Sequence, residues 1–428
     1  MKNVLHENTT EQEIALLAAV DCGEYDAESS MRELEELAKS ADAAVAATVI
    51  QKRERPSPAT YLGEGKLAQI KEQCEQLGAN VLIFDGELTP SQQRNIENLT
   101  DMKVVDRTEL ILDIFARRAR SGEGKLQVEL AQLNYRITRL GGQGKMLSRL
   151  GGGIGTRGPG ESKLESDKRH IRRRIYALEN ELKEVEKRRN FLRRRRKKNG
   201  VTTCAIVGYT NAGKSTLLNA LTGAGVLAQD KLFATLDPTA RALMLPDGRK
   251  IMLVDTVGFI SRLPHQLVEA FKSTLEEAVG ADLIFNVCDA SDPACAEQIK
   301  VTTSLLGELG CENTPIITVM NKCDLVPEIY TIPTLGNTVF ISAKEGVGFD
   351  KLLAKAVALL PADTLSATLL IPFADGAKIA PLREHAAIHA QRFTEEGTLL
   401  ELTAPKTVLA AYRRYIIHPT ESSDDERF

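Results

Sequence analysis

The sequence predicts an α/β protein built from several units, and three observations carry that reading. Between residues 31 and 106, helical stretches alternate with short apolar runs, the pattern of a parallel sheet covered by helices. Gly208-Tyr209-Thr210-Asn211-Ala212-Gly213-Lys214-Ser215 reads G-x-x-x-x-G-K-S, between the apolar run Cys204–Val207 and a helix start at Thr216–Leu221. Two stretches with heptad spacing flank a glycine-rich segment, which predicts a long antiparallel helical hairpin.

Composition narrows the class. The chain has 428 residues, enough for two to four domains, with 26% charged and 43% apolar residues, as in a soluble globular protein. No run approaches the apolar length of a membrane span, and Met1–Glu13 is polar and acidic, unlike a signal peptide. Seven cysteines, an odd number with no C-x-x-C pair, are expected as reduced thiols in a cytoplasmic protein. The net charge of −3 is unevenly placed. Residues 168–198 hold fifteen Lys and Arg against four Glu, while the remainder is acidic, so a polyanionic partner is expected to meet the chain at one place.

The N-terminal α/β domain is expected over 1–106. Its helices are Met31–Ala38, Lys66–Leu77 and Ser91–Leu99, and its strands are Ile14–Val20, Ala44–Ile50, Asn80–Asp85 and Met102–Asp106. Tyr61–Lys66 reads as a turn into a helix. With no phosphate loop here, recognition or scaffolding is the expected role. The hairpin is expected over 107–200. Leu126, Leu130, Leu133, Ile137 and Leu140 form one seam on a helix spanning 107–140, interrupted near Ser121–Gly124. Ile171, Ile175, Leu178, Leu182, Val185 and Leu192 form the other, on an arm about 45 Å long at 1.5 Å per residue. The joining loop, 141–164, has nine glycines in 24 residues, and Lys145, Arg149, Arg157 and Lys163 outweigh Glu161. Such a segment builds no core and suits backbone approach to RNA phosphates. The run Arg193–Lys198 is either a second phosphate contact or a solvated helix end.

Residues 201–361 are expected to form the nucleotide domain. In the phosphate loop, backbone amides and a helix N-terminus face the anion, Lys214 reaches the β- and γ-phosphates, and the Ser215 hydroxyl binds Mg²⁺. Phe233-Ala234-Thr235-Leu236-Asp237 offers a second Mg²⁺ hydroxyl, Thr235 in preference to Thr239, that orders only with triphosphate. The apolar strand Lys250–Val254 ends in Asp255-Thr256-Val257-Gly258, where Asp255 holds the Mg²⁺ water shell and the Gly258 amide senses the γ-phosphate. Lys214, Thr235 and Gly258 are thus the expected catalytic groups. Asn321-Lys322-Cys323-Asp324 follows another buried strand. The Asp324 carboxylate accepts from N1–H and the exocyclic amine of guanine; adenine has neither donor there, so the carboxylate would be left unpaired. Ser342-Ala343-Lys344 suits backbone contact with guanine O6. Together these motifs predict a GTPase with GTP as substrate and Mg²⁺ as cofactor. Residues 362–428 are expected as a small α+β domain with a disordered acidic tail. Its strands are Leu369–Phe373 and Thr398–Leu402, and its helices Gly376–Ala387 and Pro405–Ile416. Nothing in it has metal-ligand spacing.

These residues together resemble the HflX family of GTPases. The resemblance rests on the five nucleotide motifs and above all on Gly155-Thr156-Arg157-Gly158-Pro159-Gly160-Glu161, joined to a basic helical hairpin ahead of the nucleotide domain. It covers about residues 45–425, with Ser162 where the family often has Thr. It implies binding to the large (50S) ribosomal subunit and its rRNA, with the hairpin tip near the peptidyl transferase centre. It further implies GTP-coupled splitting of stalled or hibernating ribosomes under stress, by a protein acting as a monomer. A GTP-switched assembly factor or RNA chaperone for the large subunit is the alternative. Asn211 stands where potassium-stimulated relatives carry a potassium-coordinating asparagine. Phe259 occupies the position at which many GTPases carry a water-orienting glutamine, so intrinsic hydrolysis is expected to be slow and stimulated by the ribosome.

Overall fold

The computed structural model describes residues 12–140, 159–198, 201–223, 232–233, 239–262, 279–326, 336–360 and 364–419. The chain divides into two compact units. The first joins Met1–Asn190 with Gln229–Asp237 and Val257–Thr274; the second comprises Phe191–Ala228, Pro238–Thr256 and Leu275–Phe428.

The first unit carries the expected parallel sheet. Strands β1 (Ile14–Asp21), β2 (Ala44–Lys52), β3 (Val81–Phe84) and β4 (Lys103–Asp106) lie in the order β2-β1-β3-β4, all parallel. Helices α1 (Ala27–Ser40), α2 (Glu64–Leu77) and α3 (Pro90–Thr100) connect them. The helix starts are written locally. Asp26 caps α1, and Thr89 forms a capping box with Gln92 behind Pro90. Central β1 is apolar on both faces, and a separate core cluster covers each side of the sheet.

The expected helix over 107–140 is two helices. In α4 (Arg107–Arg118) the chain leaves helical geometry at Ala119, and Ser121 opens α5 (Gly122–Arg139) by accepting from the Gly124 amide at 2.8 Å. A serine three residues ahead of a helical amide is a start signal, and here it divides the helix rather than fraying it. The predicted seam of α5 is only half-buried. The buried face carries Val128, Ala131 and Tyr135 into the core of the first unit. Helix α6 (Pro159–Lys198), in which Leu178 is fully buried, meets α5 through ion pairs. Arg189 pairs with Glu123 at 2.9 Å and Arg174 with Glu129 at 2.7 Å. Later residues of α5 thus meet earlier residues of α6, the antiparallel sense expected of a hairpin. The joining segment 141–158 lies outside the described residues.

The second unit holds two sheets. Strands β5 (Thr202–Gly208), β6 (Thr239–Met244), β7 (Lys250–Asp255), β8 (Leu283–Asp289), β9 (Ile316–Asn321) and β10 (Thr338–Phe340) run β10-β9-β8-β5-β7-β6, with only β6 antiparallel. Helices α7 (Lys214–Thr222), α8 (Cys295–Glu308) and α9 (Phe349–Leu359) accompany it. C-terminal strands β11 (Thr364–Ile371), β12 (Ala387–Phe393), β13 (Thr398–Pro405) and β14 (Ile416–Pro419) form an antiparallel sheet, with short helices α10 (Ile379–His385) and α11 (Lys406–Ala411). Two sequence expectations change here. The helix expected over Gly376–Ala387 begins as a 3₁₀ turn over Phe373–Lys378 and gives way to β12, an edge strand too exposed to show an apolar period. The helix expected over Pro405–Ile416 ends early, because the 3₁₀ turn at Arg413–Tyr415 releases Ile416 to pair with β11. No described helix is long and apolar enough to cross a membrane.

Candidate guanine-nucleotide site

Strand β5 sits mid-sheet between β7 and β8 and delivers the phosphate loop at its C-terminal end. At Gly208 an added Cβ would run into the carbonyl of Val287 in β8, and at Gly213, with φ +91°, into the side-chain amide of Asn321. The loop therefore closes only with glycine at both ends. Between them, Asn211 takes the left-handed conformation at φ 60°. Lys214 opens α7 buried at 7% exposure, and its Nζ donates to the Tyr209 carbonyl at 2.6 Å. Burial pushes its amine down to about 8, against the pull of nearby Asp255. An incoming phosphate would restore the ammonium form. Ser215 Oγ donates to Asp255 Oδ2 at 2.7 Å, at the end of β7, where Asp255 is fully buried. Next to it, Thr256 donates from both its amide and its hydroxyl to the Ile206 carbonyl, at 3.2 and 2.8 Å, locking the end of β7 to β5.

The second half of the site stands at the end of β9. Asn321 is a brace: its Nδ2 donates to the Ala212 carbonyl at 2.8 Å, and its Oδ1 accepts from the Ala343 amide at 2.9 Å. One side chain thus joins the phosphate loop to Ser342-Ala343-Lys344. Lys322 takes a left-handed conformation and extends its Nζ to Asp289 Oδ2 at 2.6 Å. Cys323 then begins a single 3₁₀ turn, and its amide donates to the Ile341 carbonyl at 3.1 Å. The hydroxyl of buried Ser342 beside the exposed Asp324 holds that carboxyl below its usual range, so Asp324 is a carboxylate acceptor at neutral pH.

The second unit thus brings together Gly208–Ser215, Asp255, Thr256, Asn321–Asp324 and Ser342–Lys344. Phe233, Val257 and Gly258 belong to the first unit instead. There the Phe233 ring packs edge-on against Phe115 at 4.5 Å, and Val257 joins the same core. Phe259 is buried at 3% exposure. Ala234, Thr235, Leu236 and Asp237 lie outside the described residues.

Two features escape sequence reasoning. One is Asp289, the partner of Lys322. The other is a buried charge cluster in the first unit. Asp85 accepts from Arg107 Nη1 at 2.7 Å and Arg262 Nη1 at 2.9 Å, and Glu33 accepts from Arg107 Nη2 at 2.9 Å and the Ser261 amide at 3.0 Å. Asp85 directly follows β3, and an acid closing an apolar strand is the available sequence signal, whereas Glu33 lies within α1; the partners are 22 to 228 residues away.

Three family models match in succession: "GTP-binding GTPase N-terminal" over residues 28–116, "GTP-binding GTPase Middle Region" over 118–196, and "50S ribosome-binding GTPase" over 203–322. A GTPase HflX from Caldanaerobacter subterraneus is 50% identical to the chain, covering 96% of this chain and 96% of its own length. The chain belongs to the HflX family of GTPases. The Escherichia coli GTPase HflX is 43% identical over 86% of this chain and 88% of its own. A solved GTP-binding protein from Sulfolobus solfataricus in complex with GDP is 28% identical, over 81% of this chain and 98% of that one, with a TM-score of 0.45. As an HflX-family member the chain is a GTP-binding GTPase, with its phosphate loop and Asn321 brace in one unit.

Proposed function

We propose that this GTPase binds the large (50S) ribosomal subunit through the hairpin 107–200, with the tip 141–164 on rRNA, and splits stalled or hibernating 70S ribosomes. The observation that carries the reading is a GTPase sheet preceded by α6, a 40-residue helix whose latter part has the chain's concentrated basic charge. The model description "50S ribosome-binding GTPase" supports it. In this reading the Gly208–Gly213 amides and Lys214 hold the phosphates. Asp324 accepts from the guanine edge, Asn321 and Lys322 brace it, and the Ala343 region meets O6. Thr235 and Gly258 respond to the γ-phosphate.

Mg²⁺ fits the residues present, because the Ser215 hydroxyl and Asp255 carboxylate are hard oxygens already in hydrogen-bond contact. Ser215 and Thr235 would hold it directly and Asp255 through its water shell; the ion would neutralise charge building on the phosphates. A buried phenylalanine at 259 supplies no polar group to attacking water, so the hydrolysis rate depends on a partner.

The test measures GTP hydrolysis with and without 50S subunits, for the whole chain and for a chain lacking 141–164. Stimulation of the whole chain by about 100-fold, one transition-state group's worth, is expected. The shortened chain is expected to keep its GDP affinity and lose the stimulation. Equal stimulation of both chains would show that the tip does not carry the 50S contact.

A further inference from the structure

Strand β8 ends at Asp289, whose carboxylate is occupied on both oxygens. Its Oδ1 accepts from the Ser291 amide at 2.9 Å and the Ser291 hydroxyl at 2.6 Å, and its Oδ2 lies 2.6 Å from Lys322 Nζ. The backbone ties the same two segments. Asp289 is paired in register with Asn321, and the Ala290 amide donates to the Asn321 carbonyl at 2.8 Å. Asp289 is therefore fixed by its own turn and strand, independently of the lysine it holds. Lys322 is fixed at its other end, where its backbone is left-handed at φ 62° ahead of the 3₁₀ turn Cys323–Leu325.

The pairing matters because of what lies two residues on. Asp324 is exposed, and in the proposed function its carboxylate accepts from the guanine edge. Two residues separate Cα atoms by at most about 7.6 Å, within reach of a flexible four-carbon stem. A Lys322 ammonium deprived of Asp289 therefore has Asp324 as its alternative partner of opposite charge. That pair would occupy lone pairs that N1–H and the exocyclic amine of guanine require. We propose that Asp289 is a positioning residue for guanine recognition: it holds the Lys322 ammonium away from Asp324 and so leaves that carboxylate open to the base. It acts through Lys322 and not on the nucleotide.

The inference rests on the reading of Asn321-Lys322-Cys323-Asp324 as the base loop, so its test carries a separate control for that reading. Asp289→Asn keeps an oxygen for Ser291 and removes the charge; Lys322→Met keeps the length of the stem and removes the ammonium. Titration of the whole chain with a fluorescent GDP analogue compares each variant and their combination. Asp289→Asn is expected to weaken binding about tenfold and Lys322→Met about threefold. The double variant is expected at the Lys322→Met level, about threefold, so that the second substitution restores affinity lost to the first. Relative to the parent at the same salt, the Asp289→Asn defect should shrink as sodium chloride is raised, because an ion pair on exposed Asp324 is screened. Losses that simply multiply in the double variant would make Asp289 a structural support of the loop and overturn the proposal, as would an Asp289→Asn variant that binds like the parent. Should the asparagine variant not fold, Asp289→Ser makes the same comparison. The control is Asp324→Asn, which should lose GDP and gain xanthosine diphosphate, whose extra carbonyl accepts from the amide. An Asp324→Asn variant that binds GDP like the parent would strike the base-loop reading and this one with it. Loss of GDP there, with independent losses at 289 and 322, strikes this proposal alone.

Discussion

Replacing Asp85 by alanine is expected to destabilise the first unit by about 3–5 kcal/mol, the cost of removing one partner from a buried ion pair. Asp85 is fully buried. Its carboxylate accepts from Arg107, Arg262 and Ser30, the last at 2.6 Å, and its carbonyl accepts from Arg262 Nη2 at 2.9 Å. Arg107 is itself 2% exposed and would keep Glu33 and the Ser261 carbonyl and hydroxyl for its guanidinium. Arg262→Ala is expected to cost far less, about 1 kcal/mol, because its side chain is one-third exposed and water can replace the contact. Urea unfolding of the whole chain followed by circular dichroism measures both. Similar midpoints for the Asp85 variant and the parent would show that Arg107 is solvated some other way. Ser261 and Arg262 follow Gly258 by three and four residues, so the same cluster fixes the segment just beyond the Asp255–Gly258 motif to the N-terminal unit.

Asn321→Ala is expected to weaken GDP binding by about 100-fold. Two buried hydrogen bonds are lost, each worth about 1.4 kcal/mol once its partner is stranded, and tenfold in affinity follows from each. The stranded partners are the Ala212 carbonyl in the phosphate loop and the Ala343 amide. The effect is large because one side chain is bonded to both loops. Lys322→Ala breaks one partly exposed ion pair to Asp289 and is expected to cost less. Titration of a fluorescent GDP analogue compares the two. An Asn321 variant within about threefold of the parent would mean that the loops hold their places unaided.

Much of this was legible in the sequence, for identifiable physical reasons. Apolar runs such as Val81–Phe84 and Leu283–Cys288 are buried on both faces of parallel sheets, so they advertise themselves without periodicity. The phosphate loop is legible because its backbone demands glycine at 208 and 213. The division at Ser121 was visible as an interruption but not as a new helix start, because the seam carried periodicity across it. The second buried face of α5, Val128, Ala131 and Tyr135, was hidden by that stronger pattern. Strand β12 escaped because an exposed edge strand needs no apolar alternation. The clusters around Asp85 and the Asn321 brace depend on partners 22 to 177 residues apart, a distance over which sequence spacing carries no geometry.

In the proposed function, GTP binding in this chain drives the large subunit away from its partner subunit, with the basic hairpin as the part that reaches rRNA. Sucrose-gradient sedimentation of 70S ribosomes tests it most directly, with the chain supplied alone, with GTP, or with a non-hydrolysable GTP analogue. Expected are 30S and 50S peaks at the expense of 70S with GTP or the analogue, the chain co-migrating with 50S, and intact 70S when residues 141–164 are removed. Persistence of 70S particles under every nucleotide condition, with the chain bound to 50S all the same, would contradict splitting and leave the GTP-switched assembly factor as the better reading.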